Sequence, residues 1–74
     1  MTYSIIATYR KGPNHQLDTK LDQAAGRDHN SSGYFLPNDM RDIQWIFKQR
    51  PAAERALARL RKIKGAQCKL SLLD

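Results

Sequence analysis

Four side chains that could do acid, base or nucleophilic chemistry stand close together in the stretch GRDHNSSGYFL, residues 26–36. Asp28 and His29 could transfer protons, and Ser31 or Ser32 could act as a nucleophile, which raises the hypothesis of a small nuclease. Such chemistry needs side chains held within reach of a substrate, and a turn rich in Asn, Ser and Gly holds little in place by itself. The same residue types form turns by bonding their own backbone. We therefore predict a turn over residues 28–32 and no catalytic residue, and leave open whether Arg27 and His29 extend a partner-binding rim.

Length and composition limit the class of protein. The chain has 74 residues, which predicts one domain over residues 1–74 with a small core. A single cysteine excludes an internal disulfide, and no Cys/His cluster has zinc spacing, so we expect no metal and no cofactor. No apolar run approaches the ~20 residues of a membrane span. We expect a cytoplasmic protein with no membrane partner.

Hydrophobic periodicity predicts six elements. The β-branched run YSIIATYR places Ile5 and Ala7 on one face of a first strand and Ile6 on the other. A helix should follow between Asn14 as N-cap and Gly26 at its end. Residues 33–36 predict a short edge strand that Pro37 stops. Residues 40–49 predict a half-buried strand with Ile43, Trp45 and Phe47 on its inner face. Residues 51–64 predict a second helix with Gly65 after its last turn, and its apolar stripe consists of Ala53, Ala56, Leu57, Leu60 and Ile63. Alternation from residue 68 to 73 predicts a closing strand.

The order strand, helix, strand, strand, helix, strand predicts an α+β fold. Two split βαβ units of this kind give a four-stranded antiparallel sheet in the order 4-1-3-2, with both helices on one face. This βαββαβ pattern is similar to the ferredoxin-like fold over nearly the whole chain. The similarity concerns architecture, and that architecture serves many unrelated functions.

The segment WIFKQRPAAERAL, residues 45–57, resembles the junction of third strand and second helix in RNA-recognition-motif domains. In that family, aromatic side chains on the open face of the sheet stack on bases. Here the outward positions of the two central strands are Ser4, Ile6 and Thr8 on one and Asp42, Gln44 and Ile46 on the other. The chain departs from the family at the stacking platform, so the resemblance implies the fold without RNA reading by the sheet.

The net charge is concentrated in one segment. Residues 48–64 contain seven basic residues and one acid, Glu54, whereas the rest of the chain balances six basic residues against six acids. Such a focused positive surface favours an anionic partner, either nucleic acid phosphate or an acidic protein surface. The residues predicted to bind it lie on the outer side of the second helix and on the approach to it: Lys48, Arg50, Arg55, Arg59, Arg61 and Lys62.

The open face of the sheet is a second predicted surface. Apolar side chains on a small sheet face are a common place for a homodimer or another protein partner to dock. The residues predicted to form this interface are Ile6, Gln44, Ile46 and Leu73.

We therefore expect a small, non-enzymatic, basic binding protein that docks on nucleic acid or on a nucleoprotein complex. Its size and lack of a catalytic constellation resemble the small proteins of phages and mobile elements, including anti-CRISPR inhibitors of host defence complexes. The alternatives are an assembly subunit that acts through its sheet face or edge, and a small nuclease that uses the loop over residues 28–32.

Overall fold

The fold is α+β, with four strands and two α-helices in the predicted order. A computed structural model describes residues 1–73 of the chain. In chain order the elements are β1 (Tyr3–Arg10), α1 (His15–Ala25), β2 (Ser31–Phe35), a 3-10 turn (Leu36–Asn38), β3 (Met40–Phe47), α2 (Arg50–Leu60) and β4 (Gln67–Leu72).

The strands form one antiparallel sheet in the order β2-β3-β1-β4. β1 pairs with β3 over its whole length, so that Ile5 lies opposite Trp45 and Ala7 opposite Ile43. β2 and β4 are the edge strands. The topology confirms the predicted fold class and is consistent with a ferredoxin-like fold.

The core lies between the sheet and the two helices. The inward residues of β1 and β3 that period two predicted are buried except Tyr3 at the start of β1, which is partly buried, and Trp45 at the centre is 0% exposed. α1 adds Leu21 and Ala25. α2 adds the predicted stripe of Ala53, Ala56, Leu57 and Leu60, so one continuous cluster joins both helices to the same face of the sheet.

Both predicted ends of α1 are confirmed. The Asn14 side chain accepts a hydrogen bond from the Leu17 amide, which satisfies one of the unpaired N–H groups of the first turn. Gly26 ends the helix with φ 81°, a left-handed conformation that glycine adopts without steric cost.

The second helix is shorter than predicted. α2 ends at Leu60, and the amides of Lys62 and Ile63 bond the carbonyls three residues earlier, so the chain tightens into turns. Ile63 packs against the core from these turns. Its spacing from Leu60 is the spacing of a helix, which is why the sequence predicted a longer helix. Gly65 has a left-handed φ of 97° within these turns and does not directly follow the helix.

The second and third strands also differ at their ends from the predicted bounds. β2 begins at Ser31, so Ser31 and Ser32 belong to the strand and not to the predicted turn. Cross-strand pairing with Gln44 and Ile43 outweighs the turn preference of two serines. β3 ends at Phe47 instead of residue 49.

A buried polar cluster joins α1 to the sheet. Asp18 accepts hydrogen bonds from the Tyr9 hydroxyl at 2.5 Å and from Arg41 Nη2 at 3.0 Å. The Tyr9 oxygen in turn accepts from the Asn14 amide at 2.9 Å. Burial, followed by the hydrogen bond to Asp18, raises the pKa of Tyr9 above its usual value of 10.0.

Candidate nucleic-acid interface

The outer side of α2 carries exposed cations that are free to meet a partner. Arg55 and Lys62 lie on the solvent side of the helix and of the turn that follows it, and Arg61 is exposed on a flank. Within residues 1–73 none of these three side chains makes a hydrogen bond or ion pair. Lys48 before the helix and Lys64 after it are likewise exposed and unpaired over the same residues.

Arg50 is partly neutralised. Its Nε donates to Glu54 Oε1 at 2.7 Å, one helical turn along, and both side chains are largely exposed. An exposed i,i+4 pair of this kind contributes only about 0.3–0.5 kcal/mol. A phosphate could therefore displace Glu54 at small cost, but Arg50 is not a free cation.

Arg59 performs a structural task between the two helices. Its Nε donates to the Ala24 carbonyl at 2.6 Å and its Nη2 to the Ala25 carbonyl at 3.3 Å. These carbonyls belong to the last turn of α1, where they lack helical partners and where the helix dipole favours a positive charge. Because α1 has no basic residue in its own last turn, α2 supplies the cation.

The predicted binding residues thus fall into two groups. Arg55, Arg61, Lys62 and Lys48 are unpaired within the described chain, whereas Arg50 and Arg59 already have protein partners. α2 has 11 residues, which at 1.5 Å per residue makes it about 16 Å long, so the surface spans only a few phosphates.

The open sheet face shows a mixture of apolar and polar groups. Ile6 is 36% exposed, and Leu73 beside Thr2 is 49% exposed. Ile6 lies opposite Gln44, and Ile46 lies opposite Ser4, so the two isoleucines are diagonal neighbours across the central strands.

Gln44 is committed to a polar ladder across this face. Its Oε1 accepts from Ser31 Oγ at 2.9 Å, and its Nε2 donates to the buried Ser4 Oγ at 2.7 Å. The ladder links β2, β3 and β1 between the two isoleucines. The face is therefore not a continuous apolar patch.

The residues of the opening stretch do not converge on one site. Ser31 bonds Gln44 on the open face, whereas the His29 ring bonds Asp22 of α1 on the opposite side of the sheet. Asp28 is exposed and makes no side-chain bond within the described residues. The geometry separates Ser31 from His29, the nucleophile and base that the alternative nuclease hypothesis would need.

Asp22 was not among the predicted site residues, yet it bonds several groups on that side. Its Oδ1 accepts from the Trp45 indole at 3.0 Å and from the His29 amide at 3.0 Å, while His29 Nδ1 lies 3.0 Å from its Oδ2. A signal was present: Asp18 and Asp22 share the inner side of α1 with Leu21. An acid on the core side of a helix predicts a buried donor.

Arg27 and Asn30, which precede β2, bond the backbone of β3 at the edge of the sheet. The Ile46 amide donates to Asn30 Oδ1 at 2.8 Å, and Arg27 Nη1 donates to the Ile46 carbonyl. The Arg27 guanidinium also stacks on the Phe47 ring, 4.7 Å from its centroid. These two side chains bond the backbone groups of Ile46 that a longer β2 would otherwise bond.

Within residues 1–73, no group of three or more His, Cys, Asp or Glu side chains could hold a metal ion. The same residues contain no helix with the length and apolar character needed to cross a membrane. Comparisons of the chain with protein-family models, with curated proteins and with solved structures found no match.

Proposed function

We propose that this chain is a small non-enzymatic binding protein that docks on nucleic acid through the outer surface of α2. The observation that carries the proposal is the set of unpaired, exposed cations on and beside that helix, Arg55, Arg61 and Lys62 with Lys48 and Lys64. A protein surface whose positive charges are not neutralised internally gains affinity by releasing counterions from phosphate. An inhibitor of a host nucleoprotein complex, of the anti-CRISPR kind, would be one member of this class.

The expected binding is strongly salt-dependent and weakly sequence-specific. If each of the five cations neutralised one phosphate of a duplex, log K would fall with log salt at a slope of about −4.5, an upper bound set by about 0.9 per contact. Contacts to phosphate position a protein without reading bases. We expect related affinities for duplexes of different sequence.

Fluorescence anisotropy with labelled duplex DNA, single-stranded RNA and polyglutamate over a salt series tests this proposal. The variant Arg55→Glu/Lys62→Glu should abolish binding of the nucleic acids. Its matched control is Arg10→Glu/Lys69→Glu, which makes the same change in net charge at exposed positions away from α2. Equal loss in both variants would show that only net charge matters, and binding of polyglutamate alone would show an acidic protein partner.

An Arg59 variant is a poor test of the binding surface. Because it caps α1, its replacement would disturb the helix pair as well as the surface charge. A loss of binding in an Arg59 variant would therefore not identify a phosphate contact.

A further inference from the structure

The edge strand β2 is the least covered element of the sheet. It pairs with β3 on one side only, and all five of its residues are exposed. An edge strand presents a row of unpaired N–H and C=O groups, which another strand can complete. Nothing within residues 1–73 lies along this row as a further strand.

This edge lacks two of the features that usually prevent such pairing. Residues 31–35, SSGYF, contain no charge and no proline. The neighbouring stretch of β3 is treated differently, because the Arg27 and Asn30 side chains occupy the carbonyl and amide of Ile46. At the other end of the sheet, β4 carries Lys69 at an exposed position. Side chains thus bond the edge backbone of β3 at Ile46, whereas the outer edge of β2 has no neighbouring strand within residues 1–73.

The side chains of β2 would also gain from a neighbouring strand. Tyr34 and Phe35 point to opposite faces of the sheet and are 37% and 59% exposed. The side chains of a strand laid beside β2 would pack against Tyr34 on one face and against Phe35 on the other. Gly33, at the centre, has no atom within 4 Å of the position that a Cβ would take, so a side chain placed there would meet no other part of the chain that the structure describes.

The distribution of charge is compatible with a second copy of this chain as the occupant. Residues 31–47, the hairpin of β2 and β3, hold one basic residue, Arg41, and two acids, Asp39 and Asp42. α2 packs mainly on β4 and β1, the two strands farthest from β2, and less on β3. At about 4.8 Å per strand, two copies joined at β2 would hold their basic helices on the order of 25–30 Å apart, well beyond the ~8 Å screening length at physiological salt.

We propose that β2 pairs antiparallel with β2 of a second copy about a two-fold axis near Gly33, giving one continuous eight-stranded sheet. An antiparallel strand edge is complementary to itself under such a rotation, and its lack of charge selects neither an acidic nor a basic foreign peptide. The contact is five residues long, so the dimer dissociates on dilution. This inference is independent of the proposed function, because it uses neither α2 nor nucleic acid.

Sedimentation equilibrium over a roughly hundredfold range of concentration, without nucleic acid, tests the dimer. Gly33→Lys should raise the dissociation constant at least about tenfold, because two lysines would meet at the axis. Its matched control Gly33→Ala also loses the glycine but adds no charge, and it should dimerise like the native chain. Phe35→Lys tests the same edge at a second position, so a folding defect in one variant does not decide the result.

Two further variants separate this edge from other surfaces. Leu36→Lys changes a residue that is 76% exposed but lies after the strand, and it should leave the dimer intact. Ile46→Asp alters the open face and should also leave it intact. A native chain that stays monomeric throughout, loss of the dimer with Leu36→Lys or Ile46→Asp but not with Gly33→Lys, or open-ended aggregation would each overturn the proposal.

Discussion

Replacement of Asp22 by alanine should destabilise the protein through Trp45. The indole N–H of Trp45, a 0% exposed residue, donates to Asp22 Oδ1 at 3.0 Å. Without that acceptor the donor stays buried and unsatisfied, which costs about 1–3 kcal/mol. The His29 amide and ring, which also bond Asp22, are partly exposed and can turn to water.

A loss of about 2 kcal/mol would be large for this chain. At roughly 0.05–0.15 kcal/mol per residue, a chain of 74 residues has about 4–11 kcal/mol of stability. The corresponding fall in Tm is about 8–16 °C, at 4–8 °C per kcal/mol for a small domain. Asp22→Asn keeps an oxygen at the Oδ1 position and should cost less than about 1 kcal/mol.

Urea unfolding followed by far-ultraviolet circular dichroism measures these differences. The double-mutant cycle of Asp22→Ala with Trp45→Phe isolates the hydrogen bond between the indole and Asp22, since phenylalanine has no N–H group that could lose its acceptor. We expect a coupling energy of at least about 1 kcal/mol. Equal costs for Asp22→Ala and Asp22→Asn, or a coupling energy near zero, would refute the reasoning.

Three other perturbations test the structure at separate places. Arg59→Ala should lower the unfolding free energy by about 1 kcal/mol, because the last carbonyls of α1 lose their donor. The control Arg55→Ala should change it by less than about 0.5 kcal/mol. Thermal melts of both variants measure the difference. Gly12→Ala should lower the unfolding free energy by about 1–3 kcal/mol, because the added Cβ would lie 2.8 Å from both Arg41 Cβ and Tyr9 Cε1. Chemical denaturation measures this loss. Gly33→Ala, whose added Cβ meets no atom within 4 Å, is the control. Because the folded state raises the pKa of Tyr9 above 10.0, the unfolded chain loses that proton first, so stability should be complete below that pH and fall above it. Tyr9→Phe should reduce this fall in a pH series of unfolding curves, and an unchanged slope would contradict it.

Local rules predicted the elements and the core from the sequence. Alternation placed Ile5, Ala7, Ile43, Trp45 and Phe47 inward, and the cap residues Asn14 and Gly26 marked both ends of α1. These signals depend on the period of one strand or helix and on the backbone preference of single residues, so they can be read without the rest of the fold.

The ends of α2 and β2 could not be read in the same way. Ile63 has helical spacing but packs on the core from a turn, and Ser31 and Ser32 prefer turns but pair with β3. In each case a contact with a distant part of the chain outweighs a local preference.

The candidate site shows the same division. Residue types and their spacing were enough to locate the excess positive charge in residues 48–64 and to predict the βαββαβ fold. Which cations are free depends on the folded chain, because folding brings Arg59 to the end of α1 and leaves Arg55 and Lys62 in solvent. Folding also brings the His29 ring to Asp22. The physical reason is that a charge is a property of the residue, whereas its hydrogen-bond partner comes from an element far away in the chain.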